Sequence, residues 1–371
     1  MPWREFFVSH FGPGSLCGFT FGDWLRLLGD NRFAIDPPYW PRAALITAGS
    51  LQNSFFRYWE RWHHEAAIHA TEPKPPIFIL GIWRSGTTHL HNLLARDPRL
   101  AAPTSYEMLY PHTFLTTMKM NAPFIDWMIP PKRPQDNVKM GMYEPQEDEF
   151  ALNCLTQLSP LLSLAFPRRA AHYNRFITLR DCTPAEIARW KATLLWLVKK
   201  LTYKHGPRPL LLKSPCHTAR IKLLLETFPD AKFVHIHRNP YDVFLSSLHL
   251  MHTAANYSTL QRLDHTRLEE STLHDYQEVF DAYFAQRDLI PASRLHDLRF
   301  EHLEADPLGE LRKLYAALDL GDFAPAEPTL RSYLDSIAGY QKNRFREIDP
   351  HWKTEIACRW KRCFDEWNYP A

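Results

Sequence analysis

The residues best suited to chemistry stand where apolar runs end. Ile77-Phe78-Ile79-Leu80-Gly81-Ile82-Trp83-Arg84-Ser85-Gly86-Thr87-Thr88 reads as a buried strand, a tight loop and the opening of a helix. Successive backbone N–H groups in such a loop, with the positive end of the following helix behind them, make a seat for an anion. The G-x-x-x-x-G spacing matches a nucleotide-triphosphate loop, yet Thr87 stands where that motif needs lysine for the β and γ phosphates. The cation lies earlier, at Arg84, whose guanidinium fork can clamp a terminal phosphate or sulfate with two hydrogen bonds. The plain alternative is a glycine turn that only packs a strand on a helix.

A second anion seat is spelled by Phe233-Val234-His235-Ile236-His237-Arg238-Asn239-Pro240, a strand ending in arginine with a proline opening the next helix. Ser246 follows Arg238 by eight positions, about two turns into that helix, so the two side chains can grip one anion. Leu210-Leu211-Leu212-Lys213-Ser214-Pro215 delivers a lysine at the end of another apolar strand. The stretch DPRLAAPTSYEMLY reads as a further strand with Glu107 near its carboxyl end, the edge where ligands bind in open α/β sheets. A solvated or helix-capping glutamate is the alternative there. The acidic run Glu144-Pro145-Gln146-Glu147-Asp148-Glu149 could line a pocket, supply a base or cap a helix, and capping is the plainest reading.

Two anion seats in this order resemble those of the nucleotide-dependent sulfotransferases, which use 3′-phosphoadenosine 5′-phosphosulfate (PAPS). The resemblance runs from roughly residue 76 to 320 and is strongest to a broad bacterial group that also resembles tyrosylprotein sulfotransferases. It implies that the loop Arg84, Ser85, Gly86, Thr87, Thr88 holds the 5′-phosphosulfate, and that Arg238 and Ser246 hold the 3′-phosphate. It further implies that Glu107 is the base and that Lys213, in its K-x-P setting, stabilises the oxygen bridging phosphate and sulfate. Lys342 and Arg344 match basic residues that the family often returns from a C-terminal loop to the 3′-phosphate, with ordinary surface cations as the alternative. Some members use histidine as base, which keeps His112 and His217 in reserve. Sulfuryl transfer needs a base, cations for the leaving phosphate and in-line geometry, so no metal is expected. His235 and His237 share a strand face but lack a third ligand nearby, and His63-His64 make no stronger metal case.

The elements that must position these groups are legible as short apolar runs alternating with helical stretches from Ile77 onward. That pattern predicts an α/β fold of the P-loop-like kind, three layers α/β/α around a central parallel sheet, with helical attachments at both ends. Residues 1–76 form an aromatic-rich helical segment closed by the stiff linker TEPKPP, and 77–371 the catalytic domain. A proline-rich, irregular insertion spans about 101–180, where a substrate cover would sit. Helix starts are predicted at Pro41, at the capping box Thr183-Pro184-Ala185-Glu186 and at Asp306-Pro307. Trp352, Ile356, Trp360 and Phe364 fall on one face of a C-terminal helix, and no internal repeat is evident.

Composition removes several function classes. In 371 residues, 44 Lys plus Arg against 41 Asp plus Glu leave +3, with 45% hydrophobic residues, which speaks against disorder and against nucleic-acid binding. Thirteen glycines and 30 prolines predict stiff loops. Six scattered cysteines without a C-x-x-C pair fit a reduced, cytoplasmic protein without structural zinc. The N-terminus lacks a secretion signal, and polar residues or proline break every long uncharged run. Phe6 to Trp62 mixes Phe, Trp, Leu and Arg in a way that suits peripheral contact with a membrane interface, or equally internal packing. The resemblance implies a hydroxyl acceptor, a small molecule or a lipid-like alcohol, of unspecified class. Competing readings are a Mg²⁺-dependent phosphotransferase and a non-catalytic nucleotide-binding relative.

Overall fold

Four stretches are too short for helices and pair as strands; two of them, IFIL and KFVHIH, carry the Ile, Val and Phe that favour a pleated surface. In the computed structural model they are β1 (Ile77–Leu80), β2 (Leu211–Lys213), β3 (Lys232–His237) and β4 (Leu295–Arg299). The structure describes residues 2–133, 135–264, 266–340, 342, 343, 345 and 347–371. The chain forms two compact units. One comprises Met1–Pro73, Pro103–Arg208 and His252–His265; the other comprises Lys74–Ala102, Pro209–Met251 and Thr266–Ala371.

The second unit holds the sheet, with strand order β2-β1-β3-β4 and every pair parallel. Ile77 lies opposite Leu211 and Lys232, and Ile79 opposite Lys213 and Val234. Strands buried on both faces need no alternation, which is why β1 and β2 read as continuous apolar runs. The core joins Ile77, Ile79 and Val234 to Leu90 and Leu93 of the helix Thr87–Leu94 and to Leu311 and Leu314 of the helix Pro307–Ala317. Each such side chain contributes about 1.5–3 kcal/mol on burial. The chain leaves β1 toward β2 on one side and leaves β3 toward β4 on the other. The carboxyl ends of the neighbours β1 and β3 therefore flank a topological switch point, the place where such sheets bind ligands.

The first unit is helical. Its longest element, Trp40–Ala70, has Pro41 in the first turn and packs on Phe21–Asp30 and on Pro184–His205. The capping box at Thr183 forms as expected, with the Thr183 hydroxyl accepting from Glu186 N and the Glu186 carboxylate accepting from Thr183 N. Three expectations fail. The strand expected before Glu107 is reduced to an isolated bridge between Ala101 and Leu210, and Glu107 lies instead in the short helix Ser105–Leu109. The physical reason is local: the Thr104 side chain caps that helix and Glu107 completes the box, a bonding pattern that an extended strand cannot offer. The stretch expected to be irregular also carries the helices Phe114–Met128, Glu149–Thr156, Leu161–Ala165 and Ala170–Asn174. At the other end, the single C-terminal helix divides into Pro350–Arg359 and Lys361–Trp367. Trp360, at the break, stacks on Tyr276 at 3.6 Å and donates from Nε1 to the Leu273 carbonyl at 3.1 Å.

Candidate active site

The exit from β1 is shaped by close approach. A Cβ on Gly81 would lie 2.6 Å from the Ile236 carbonyl of β3, and its φ of 141° is one that other residues rarely adopt. Gly81 N–H donates to Thr218 Oγ1 at 2.7 Å, fixing the turn from below. Arg84 takes a left-handed backbone with φ 70°, costly for a residue with a side chain and concentrated at functional sites. Gly86, at φ 101°, would put a Cβ 2.2 Å from the Phe300 ring. It is also the N-cap of Thr87–Leu94, with no side-chain cap, so the orphan N–H groups of that first turn face no capping oxygen at Gly86.

The two predicted seats converge. Arg84 Nε donates to Ser246 Oγ at 2.8 Å, and Arg238 Nη1 to the Arg84 carbonyl at 3.4 Å. Ser246 thus engages the arginine of the first loop, where the spacing had paired it with Arg238. Arg238 keeps a buried Nε without a hydrogen-bond partner among the described residues, and its nearest carboxylate, Asp242, is 3.5 Å away. Lys213 is the last residue of β2, buried, and Ser214 caps the turn that follows it. Ser85 and Thr87 are also buried, and Ser85 Oγ donates to Ile82 O at 2.8 Å. Thr88 lies one position further in the same first turn.

Phe300, not singled out in the sequence, is a buried member of the core that also reaches the second seat. Its ring carries the Arg238 guanidinium at 4.7 Å on centre and the Lys342 ammonium at 5.6 Å. Lys342 also pairs with Glu304. Arg344 lies outside the described residues. Glu301, equally unforeseen, accepts from Asn239 N at 3.1 Å and from the Tyr369 hydroxyl at 2.9 Å, holding the turn after Arg238. Both residues follow directly on the end of β4, and position at a strand's carboxyl end was the signal available for them.

Glu107 belongs to the helical unit and is fully buried. Oε2 accepts from Thr104 N at 2.6 Å and from Thr104 Oγ1 at 2.9 Å; Oε1 pairs with Lys204 Nζ at 2.7 Å and His205 Nε2 at 2.8 Å. Burial pushes its pKa up, but the hydrogen bond and charge of His205 and the charge of Lys204 outweigh that and bring it down to about 2. In the acidic run, Glu144 pairs with Lys139, while Asp148 and Glu149 are buried; Asp148 stands at an N-cap but makes no side-chain cap bond.

Of the reserve histidines, His217 is buried edge-on to Phe78, and His112 lines a cleft in the helical unit. His235 Nδ1 bonds Asp297 at 2.8 Å and His237 Nδ1 the Tyr369 hydroxyl at 3.0 Å. Among the described residues no group of three or more His, Cys, Asp or Glu is arranged to hold a metal. Chemically, the sheet edge could hold a ligand with two separate anionic groups, one at the first turn of the helix Thr87–Leu94 with Arg84 and one at the Arg238 Nε.

A family model described as Sulfotransferase family matches residues 75–325. The omega-hydroxy-beta-dihydromenaquinone-9 sulfotransferase Stf3 of Mycobacterium bovis is 39% identical over 359 residues, covering 94% of this chain and 90% of that protein. Its namesake from Mycobacterium tuberculosis matches to the same extent. Among solved structures, sulfotransferase STF9 from Mycobacterium avium aligns with a TM-score of 0.69 at 19% identity, covering 93% of this chain and 91% of the other. Sulfotransferase STF1 from Mycobacterium tuberculosis aligns with a TM-score of 0.59 at 18% identity, covering 92% and 91%. At those identities the structural likeness bears on the fold, which is the expected α/β arrangement around a parallel sheet.

Proposed function

The chain belongs to the sulfotransferase family, and from that premise we propose that it transfers a sulfuryl group from PAPS to the hydroxyl of a lipid-like alcohol. The observation that carries the donor assignment is the convergence of Arg84, Ser246 and Arg238 at the switch point of the sheet, with a buried Arg238 Nε left over. PAPS would bring an activated sulfuryl group on its 5′ side and a phosphate on its 3′ side. Arg84, Ser85, Gly86, Thr87 and Thr88 would seat the 5′ group. Arg238 would take the 3′-phosphate with Ser246 fixing the geometry between the seats, and Lys342 and Arg344 would add charge. Lys213 would neutralise the oxygen that leaves with the phosphate. A nucleotide kinase would want a lysine where Thr87 stands.

Glu107 is the proposed proton acceptor, and its surroundings set a condition on that role. A carboxylate with a pKa of about 2 is a weak base, so acceptor binding would have to draw His205 or Lys204 away from Oε1 before a hydroxyl proton could pass to it.

The named acceptor of the Stf3 relatives is an omega-hydroxylated menaquinone, and 39% identity over nine-tenths of their length supports an acceptor of similar kind here: a hydroxyl on a long apolar chain. Such an alcohol is met at a bilayer. Peripheral contact through the N-terminal segment is part of the proposal, supported by the exposed Phe55, Tyr58 and Trp62. No helix of the described residues is long and apolar enough to cross a membrane. The test is to incubate the full chain with PAPS and an omega-hydroxylated prenylquinone in mixed micelles, without Mg²⁺, and to look for the sulfate ester by mass spectrometry. Ester formation is expected. A phosphate ester formed from ATP and Mg²⁺, or no ester from a panel of lipid, sterol and sugar alcohols, would contradict the proposal.

A further inference from the structure

The helix Trp40–Ala70 presents two unlike faces within the helical unit. One face borders a cleft of about 290 Å³ lined by its Arg57 and Arg61, by Arg189 and Lys200 of the helix Pro184–His205, and by His112. Four cations there meet two carboxylates, Glu60 and Glu65. Lys200 is spent: it pairs with Glu60 and donates to the Pro111 carbonyl at 2.7 Å. The arginines are not. Arg57 stands 3.7 Å from Asp23 and Arg61 3.9 Å from Glu65, both beyond hydrogen-bond length, and among the described residues Arg189 reaches only the Leu155 carbonyl, at 3.5 Å.

His112 supplies an independent sign of a missing ligand. The residue is 8% exposed and its buried Nε2 has no hydrogen-bond partner among the described residues. Burial, with the charges of Arg57, Lys200 and Arg61, holds its pKa well below the ordinary imidazole value, so the ring is neutral and can donate from one nitrogen. A tetrahedral oxyanion offers enough acceptor oxygens to satisfy that nitrogen and the arginine forks together.

The other face of the same helix is apolar and bare. Trp62 is 88% exposed and Tyr58 75%, with Phe55 and Trp59 exposed beside them. The neighbouring helix Phe114–Met128, whose Thr116 N–H donates to Glu60 at 3.0 Å, adds exposed Phe124 and Trp127. Aromatic rings with polar tips, set beside unspent arginines, complement an anionic bilayer: rings in the interfacial layer, guanidinium groups at the phosphates. A free anion in the cleft would leave this face uncovered.

We infer that the cleft seats the phosphate of an anionic phospholipid headgroup while the aromatic face enters the interfacial layer, holding the enzyme where its acceptor is presented. The inference rests on the lipid-like acceptor proposed above, but its test uses neither donor nor acceptor, so the two can fail separately. The 371-residue chain is floated with vesicles of phosphatidylcholine alone and with added phosphatidylglycerol. Wild type is expected to float with the anionic vesicles, and the combined change Arg57→Gln, Arg61→Gln, Arg189→Gln to lower that association about tenfold or more. Trp62→Ser, at a position too exposed to threaten folding, is expected to weaken association severalfold and decides the matter if the triple variant does not fold. Equal flotation of wild type and variants, equal flotation with neutral and anionic vesicles, or no flotation would overturn the inference. Protection against thermal unfolding by inorganic phosphate, without flotation, would mark a free-anion site and overturn the lipid assignment.

Discussion

Glu107 illustrates how neighbours decide what a carboxylate can do. Its pKa in the folded chain, about 2, lies below the 4.5 of the free side chain. The stabilisation from this depression is therefore fully present above about pH 5 and is lost as pH falls through about 2; it amounts to about 3 kcal/mol. Glu107→Gln should lower stability at neutral pH by an amount of that order and flatten the acid limb of the stability curve, read by denaturant unfolding as a function of pH. If Glu107 takes the acceptor's proton, turnover should also drop on the order of a hundredfold while donor affinity stays nearly unchanged. Turnover that survives per folded molecule would confine Glu107 to a structural role. The signal for its capping bonds was in the sequence. Thr104-Ser105-Tyr106-Glu107 has the same T-x-x-E spacing that identified the helix start at Thr183, but the apolar residues around it suggested a strand. The Arg84–Ser246 bond was less accessible, since 162 residues separate the partners and only the strand order brings them together.

Among the elements, β1, β2 and β3 were readable because each carries a short apolar run that ends at a turn, β4 because Leu295 and Leu298 stand ahead of the helix start at Asp306-Pro307 in the same alternation, and the loop after β1 because its glycines are placed by sterics. Gly86→Ala tests that placement. A methyl group 2.2 Å from the Phe300 ring, on a backbone at φ 101°, cannot be housed without moving the loop or the ring that carries Arg238 and Lys342. The expected result is a loss of donor affinity of about tenfold or more; unchanged affinity would mean the loop does not seat the donor. The helical unit has its own checkpoint in the Lys200–Glu60 pair, both members almost wholly buried. Lys200→Met should destabilise the chain by about 3–5 kcal/mol in denaturant unfolding, because it strands a buried carboxylate. Glu60 and Lys200 each looked like an ordinary charge on an amphipathic helix. Their burial follows from packing between helices that sequence periodicity does not reveal.

At the scale of the whole molecule, alternation of strand and helix announced a parallel sheet, but not that the order would be β2-β1-β3-β4. Order depends on which crossover passes to which side, and that is written in long-range packing. Nor does any shift in composition mark the three separate stretches of chain on which each compact unit draws. The order matters for function, since it sets Arg84 and Arg238 at the ends of neighbouring strands whose onward connections diverge. From this follows the central claim, that one nucleotide with anionic groups on both its 5′ and 3′ sides is read there. The most direct measurement is calorimetric titration of wild type and Arg238→Ala with 3′-phosphoadenosine 5′-phosphate, with AMP, and with ATP plus Mg²⁺. Wild type should bind the bisphosphate about ten- to a hundredfold more tightly than AMP, the worth of one charge-assisted contact, and Arg238→Ala should erase that preference. Equal affinity for AMP and the bisphosphate, or a preference for ATP with Mg²⁺, would contradict it.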